Sequence, residues 1–145
     1  MAKTKPIFTI ESYGIYEMWG GNSRTLPKIS KVTTLVPAQI DIEFGLTISV
    51  KKAKGICLNW CIEHPNITDK LGHPMPAFEG QEYVRNNDWT FYLGDTIWAP
   101  IEDKVGDWHM YLLYNEQVIA EKTFEVTLDD IELQNERQFW KKRGF

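Results

Sequence analysis

The sequence is poor in the residues that small domains use as staples and as nucleophiles. Cys57 and Cys61 are its only cysteines. On a strand, four residues of about 3.3 Å rise set them roughly 13 Å apart, beyond the ~7 Å Cα limit of a disulfide. This pair cannot staple the chain to itself, and reduced thiols point to a cytoplasmic protein. Serine is almost as sparse: Ser12, Ser23, Ser30 and Ser49 are the full set. None sits in a Gly-x-Ser-x-Gly elbow of the kind that exposes a hydrolase nucleophile. Histidine is limited to His64, His73 and His109. Together with the cysteines they lack the converging, closely spaced pairs of a zinc site, so no metal or other cofactor is expected. No apolar run reaches 18 residues, so no membrane-spanning helix is expected. The opening Met-Ala-Lys-Thr-Lys-Pro is followed by no apolar h-region, and no signal peptide is visible. Basic residues are in the minority, with a net charge of −4, which argues against a nucleic-acid partner because phosphates call for a basic surface. Gly20-Gly21 is a lone pair without a P-loop lysine, and no acidic run has EF-hand spacing.

Enough apolar material is present to fold without staples. The 145 residues are 43% hydrophobic and 25% charged, as in an ordinary globular domain. Aromatics reach 13%, with six tryptophans. Alternation with period two runs through most of the chain, which is the strand pattern. Phe44, Leu46, Ile48 and Val50 form one row; Ile56, Leu58, Trp60 and Ile62 form another, with Lys52-Ala53-Lys54-Gly55 reading as a hairpin turn between them. Trp108, Met110, Leu112 and Tyr114 alternate before Asn115-Glu116-Gln117, and Val118, Ala120, Phe124 and Val126 return, a second hairpin. Ile7 to Met18 reads as an extended stretch broken at Gly14, Gly20 to Ser23 as a loop, and Ile29 to Val36 as a strand ended by Pro37. Residues 65–78 hold three prolines and a glycine and read as a long loop. Glu79 to Val84 and Trp89 to Leu93 read as two further strands. About seven short strands separated by turns predict an antiparallel β-sandwich.

The predicted sandwich domain covers residues 1–127, and 128–145 form a tail. Asp129 and Asp130 suit a helix start, and Lys141, Lys142 and Arg143 suit its end, so the tail is expected to be a short helix or an extended segment. Charge is divided along the chain. Residues 1–54 hold eight Lys/Arg against four Asp/Glu, and residues 55–145 eight against sixteen. Such a division either pairs up across the fold or leaves an acidic face that selects basic partners.

Several short motifs recur in order: Tyr13-Gly14-Ile15-Tyr16, Val36-Pro37-Ala38-Gln39-Ile40 leading to Phe44-Gly45, then His64-Pro65. Tyr92-Leu93-Gly94-Asp95 with Trp98, Gly106-Asp107-Trp108 and Phe124-Glu125-Val126 follow. In this order the stretch from Ser12 to Val126 resembles a family of bacterial proteins known only as a domain of unknown function, with an immunoglobulin-like sandwich. The resemblance implies that fold and a bacterial origin, and implies no activity. The tail beyond Thr127 falls outside it.

For catalysis the pattern offers little, and no catalytic residue is expected. Asp95, Glu102, Asp103 and Asp107 fall within thirteen residues around Trp98. Two carboxylates beside an aromatic platform are what a glycosidase or sugar-binding site needs, so a carbohydrate site at Trp98 with Asp95 and Glu102 is the alternative reading. The leading one is a non-catalytic binding module for an unknown protein or peptide. Its candidate contacts are the aromatics least explained by strand rows, Tyr92, Trp98, Tyr111 and Trp140; Tyr92 and Tyr111 could form one exposed row. Two docking modes are open: strand addition at a sheet edge, or a homodimer through Ile131, Phe139 and Trp140 of the tail.

Overall fold

The computed structural model describes residues 5–17 and 26–128. The expected loop at Gly20-Gly21-Asn22-Ser23 and the tail from Asp129 lie outside them. Among the described residues there are nine strands: β1 (Ile7–Tyr16), β2 (Ile29–Lys31), β3 (Leu35–Pro37), β4 (Glu43–Lys51), β5 (Cys57–Glu63), β6 (Phe78–Tyr83), β7 (Asp88–Thr96), β8 (Gly106–Tyr114) and β9 (Gln117–Thr127). A 3-10 turn, Glu102–Lys104, precedes β8. The first sheet has the order β2-β1-β4-β7 and the second β3-β9-β8-β5-β6. Every pairing is antiparallel except β3 with β9.

The alternating rows explain why two sheets form and how they meet. Phe44, Leu46, Ile48 and Val50 on β4 are all fully buried, as are Leu58 on β5, Trp108, Met110 and Leu112 on β8, and Phe124 and Val126 on β9. Burial of these apolar rows is the main stabilising term, at roughly 25 cal/mol per Å² removed from water. Aromatic edges lock the two layers together: the Phe44 ring meets Trp108 at 5.2 Å and Phe124 at 5.5 Å, both edge to face. The other face of β4 is buried as well. There Glu43, Thr47 and Ser49 are covered, and the Tyr16 hydroxyl shares hydrogen bonds with Ser12 (2.8 Å) and Thr47 (3.1 Å).

The β8–β9 hairpin forms as expected. Asn115 and Glu116 take φ of 50° and 66°, the pair of positive values a two-residue type I′ turn requires. The segment 52–55 is not a hairpin turn. β4 and β5 belong to different sheets, and these residues carry the chain across the sandwich. Their backbone is tied to the neighbouring β6–β7 crossing, with Gly55 N–H donating to Val84 O (2.8 Å) and Lys52 N–H to Asn87 O (3.0 Å). Alternation reports which face a residue occupies and says nothing of which strand it pairs with.

The stretch from Ile29 to Val36 is likewise two strands in two sheets. The step between them is braced by the Leu35 N–H donating to Thr33 Oγ1 at 3.0 Å. Pro37 is the last residue of β3 and ends it as expected, on an edge strand where a missing N–H is tolerated. β1 is unbroken at Gly14; its register shifts against β4 between Ile10 and Ser12, and against β2 between Ile15 and Tyr16. Gly14 has φ 136° and is approached closely by the carbonyl of Lys31, 2.1 Å from where a Cβ would stand, so only glycine lets β2 dock.

Candidate functional site

Three places gather the residues singled out above. The first is the end of the sandwich where β7 leads into the 3-10 turn. Lys104 is fully buried there. Its Nζ donates to Pro100 O (2.8 Å) and Asp103 Oδ1 (2.5 Å) and stands 4.2 Å over the Trp98 ring. The Trp108 indole N–H donates to the Lys104 carbonyl at 2.8 Å. Trp98 packs edge-on to Trp108 and 6.2 Å from Phe78, so its ring is engaged by the protein itself. Both ring nitrogens of His64 lie 2.8 Å from backbone carbonyls, Pro65 O and Pro76 O, pinning the long loop onto this end.

The four acids around Trp98 are dispersed rather than paired. Asp103 is bound to Lys104, and Glu102 is exposed on the 3-10 turn. Asp107 lies on the outer face of the second sheet, opposite Glu125. Asp95 pairs in register with Phe44 and so shares the interior parity of Phe91 and Leu93. Burial pushes its carboxyl up to about 6, opposed by the Thr96 N–H (2.8 Å) and by the charges of His64 and Lys104, with Glu43 adding to the rise.

A raised folded value means the native state holds a proton that the unfolded chain releases between about pH 4 and 6, so this group lowers stability as pH rises through that window. From the ordinary 3.8 to about 6, at 1.36 kcal/mol per pH unit, the penalty at neutral pH is at most roughly 3 kcal/mol. Asp95→Asn is therefore expected to raise the melting temperature at pH 7 and to change it little at pH 4. Equal shifts at both would place the effect outside ionisation of Asp95.

The second place is the outer face of the first sheet, where Tyr92 lies. Its single hydroxyl proton is shared between Glu43 Oε2 (2.5 Å) and Phe44 O (2.9 Å), and Thr96 Oγ1 donates to Glu43 Oε1 (2.7 Å). The Tyr16 ring meets Tyr92 edge-on at 4.9 Å. Burial raises the Glu43 carboxyl against the bonds from Tyr92 and Thr96 that lower it. Burial, followed by the charge of Glu43, holds the Tyr92 phenol far above its ordinary range. Tyr92 thus serves a closed hydrogen-bond network around a buried carboxylate.

The third place is the outer face of the second sheet, where Tyr111 lies. Tyr92 and Tyr111 are on opposite outer faces of the sandwich and form no common row. β8 is central in its sheet, yet only its inward row is fully buried; Tyr111 and Leu113 are half-exposed. They line a shallow groove of about 380 Å³ with Asn59, Cys61, Glu79 and Gln81. The register stacks this face in rows: Glu79–Cys61–Tyr111–Glu121, then Glu63–His109–Thr123, then Asp107–Glu125. His109 sits between two carboxylates, 3.6 Å from Glu63 and 3.9 Å from Glu121. A hydrogen bond with Cys61, with burial and the charge of Glu63 behind it, holds the Tyr111 phenol above its ordinary value. Sequence reasoning did not single out Glu63, Glu79, Glu121 or Glu125. Their signal was the acidic surplus after residue 55 combined with outward strand parity.

β6 closes this sheet on one side and pairs only with β5 among the described residues. The Val84 N–H donates to Ile56 O at 2.9 Å. By antiparallel parity Glu82, Gly80 and Phe78 make the inner bonds, leaving the main-chain groups of Glu79, Gln81 and Tyr83 turned to the open edge. The neighbouring edge of the first sheet, β7, is tied to it by the Trp89 indole donating to Glu82 Oε2 at 3.2 Å. Trp140 lies outside the described residues. Among those described, no three His, Cys, Asp or Glu converge to hold a metal, and no helix is long and apolar enough to cross a membrane.

Comparison with known proteins bears on the fold. A family model, "Domain of unknown function (DUF3859)", matches residues 4–126. No curated protein matches the sequence. The crystal structure of an immunoglobulin-like protein from Pseudomonas aeruginosa is similar with a TM-score of 0.67 at 22% identity, over 88% of this chain and 100% of that one. An alkylpurine DNA glycosylase from Pseudomonas fluorescens, bound to DNA with an abasic-site analogue, matches with a TM-score of only 0.37 at 13% identity, over 64% of this chain and 27% of that one. That score carries neither fold nor activity across. The architecture is therefore an immunoglobulin-like sandwich, with β1-β4-β7 facing β9-β8-β5-β6 as strands A-B-E face G-F-C-C′. The inter-sheet disulfide of antibody domains has no counterpart, since both cysteines are free on β5. Trp108 on β8 occupies the core in its place.

Proposed function

This chain belongs to the DUF3859 family, and from that premise we propose that it is a non-catalytic module that binds an extended protein segment by strand addition at β6. The observation that carries this reading is the open β6 edge beside a groove. Six residues without proline, lysine or bulge present three backbone steps that no described residue pairs, and edges of that kind pair unless they are blocked. The other edge of the same sheet, β3, has three residues including Pro37. An exposed, unpaired Cys57 suits a reducing bacterial cytoplasm, where such a module would meet its partner. The sugar reading around Trp98, Asp95 and Glu102 lacks its carboxylates: a groove does open beside Trp98, but neither Asp95, which has inward parity on β7, nor Glu102 lines it.

Gln81→Pro tests the reading. It deletes an edge-facing N–H while leaving the inner bonds to β5. Peptides selected from a random displayed library on the wild-type protein should lose about tenfold or more in affinity for this variant, with the melting temperature nearly unchanged. Equal binding to both proteins would refute strand addition, and so would a selection that enriches nothing.

A further inference from the structure

We infer that the segment taken up at β6 is basic, with Lys or Arg at alternate positions along an extended strand. This rests on strand addition at β6. The outward positions of β5, β6, β8 and β9 hold Glu63, Glu79, Asp107, Glu121 and Glu125, all exposed, and not one Lys or Arg. Lys122, the only lysine on these four strands, has inward parity and is held 3.9 Å over the Tyr13 ring of the first sheet. Among the described residues, His109 is the sole outward group on these four strands able to carry positive charge, and it stands between Glu63 and Glu121. The outward positions of the four strands therefore carry one sign.

Strand addition turns that charge into side-chain selection. A strand laid on β6 runs about 4.8 Å from it, and every second side chain points to the outer face. Those side chains stand opposite Glu79 and Gln81, and unlike charges opposite one another stabilise a strand pair. The groove between β6 and β8, lined by Asn59, Cys61 and Tyr111, suits the aliphatic stem of a long basic side chain, whose cationic head can lie over the Tyr111 ring. Glu63 lies two residues beyond Cys61 on β5, and Glu121 stands opposite Tyr111 on β9 at the far side of the groove. An acidic or phosphorylated segment would meet like charges at each of these positions.

The test uses fluorescent octapeptides alternating Arg-Thr, Gln-Thr or Glu-Thr, with anisotropy read on the full chain. The arginine peptide should bind at least about tenfold more tightly than the glutamine peptide, and should weaken from about 0.05 to 0.3 M salt as screening shortens. A triple variant, Glu63→Lys with Glu79→Lys and Glu121→Lys, should lose about tenfold or more. A control with the same net charge, Glu17→Lys with Glu102→Lys and Glu116→Lys at exposed positions elsewhere, should lose less than about threefold. Circular dichroism confirms that both variants fold.

Equal loss in the two triples would reduce the effect to net charge and overturn the inference. Equal binding of the arginine and glutamine peptides, still abolished by Gln81→Pro, would overturn the basic partner and leave strand addition standing. Failure of all three peptides would overturn both. Concentration-dependent dimers that vanish in the face triple would make the occupant a second copy of this chain, which also overturns the inference.

Discussion

Trp108→Ala is expected to lower the free energy of unfolding by about 3–5 kcal/mol, the usual range for emptying a large buried aromatic site. The ring is fully buried and touches three parts of the fold that have little else in common. It meets Phe44 of the opposite sheet edge to face, supports Trp98 after β7, and donates to the carbonyl of Lys104. Truncation would leave a cavity between the sheets and strip that carbonyl of its partner, beside a buried ammonium whose position depends on the same turn. Trp108→Phe keeps most of the volume and loses the donor, so it should cost less. Urea denaturation followed by far-ultraviolet circular dichroism measures both. A loss under about 1 kcal/mol for the alanine variant would mean that the neighbouring rings collapse into the space, which the close packing of cores opposes.

Gly45→Ala should be almost as damaging for a different reason. Gly45 faces Gly94 within the β4–β7 pair, and an added Cβ would stand 2.2 Å from the Leu93 carbonyl oxygen and 2.5 Å from the Gly94 Cα. Both are backbone, so no flexible side chain can yield, and φ is 158°. The two strands must separate or the residue must flip, at a cost of about 3 kcal/mol or more. Gly55→Ala is the comparison: φ is 92°, and a Cβ there meets nothing within 4 Å, so only the backbone strain of about 1 kcal/mol applies. Thermal melts of the pair separate crowding from strain. Equal losses would assign the cost to φ alone.

The strands were legible because each side chain's face is written in the alternation. Phe44 to Val50 and Trp108 to Leu112 declare a buried row without any knowledge of what lies opposite. The partner of each row was not legible. Ala53 and Lys54 look the same in a hairpin and in a crossing, and only the bonds from Gly55 and Lys52 to the β6–β7 connection decide between them. Residues 29–37 changed sheet for a similar reason, since a three-residue strand is too short to show its own period.

Among the candidate contacts, Tyr92 and Trp98 stood out as surplus aromatics. Their local roles depend on Glu43, 49 residues before Tyr92 in the chain, and on Lys104, whose burial no composition rule anticipates. The acidic face was half legible. The surplus after residue 55 was evident, but its convergence on one surface follows from the register of four strands.

The parallel pairing of β3 with β9 sets an order on synthesis. Val36 is fully buried and sits opposite Val126, and Ala38 N–H reaches the carbonyl of Thr127 at 2.8 Å. As the chain leaves the ribosome, β1 can find β4 within the first fifty or so residues. β3 must wait some ninety residues for its neighbour, and the second sheet closes last. Contacts of such sequence separation form slowly, and unpaired strands exposed meanwhile invite aggregation. The nascent protein therefore passes through an interval with one sheet begun and the other open, in which premature release would leave β3 without β9 to pair with.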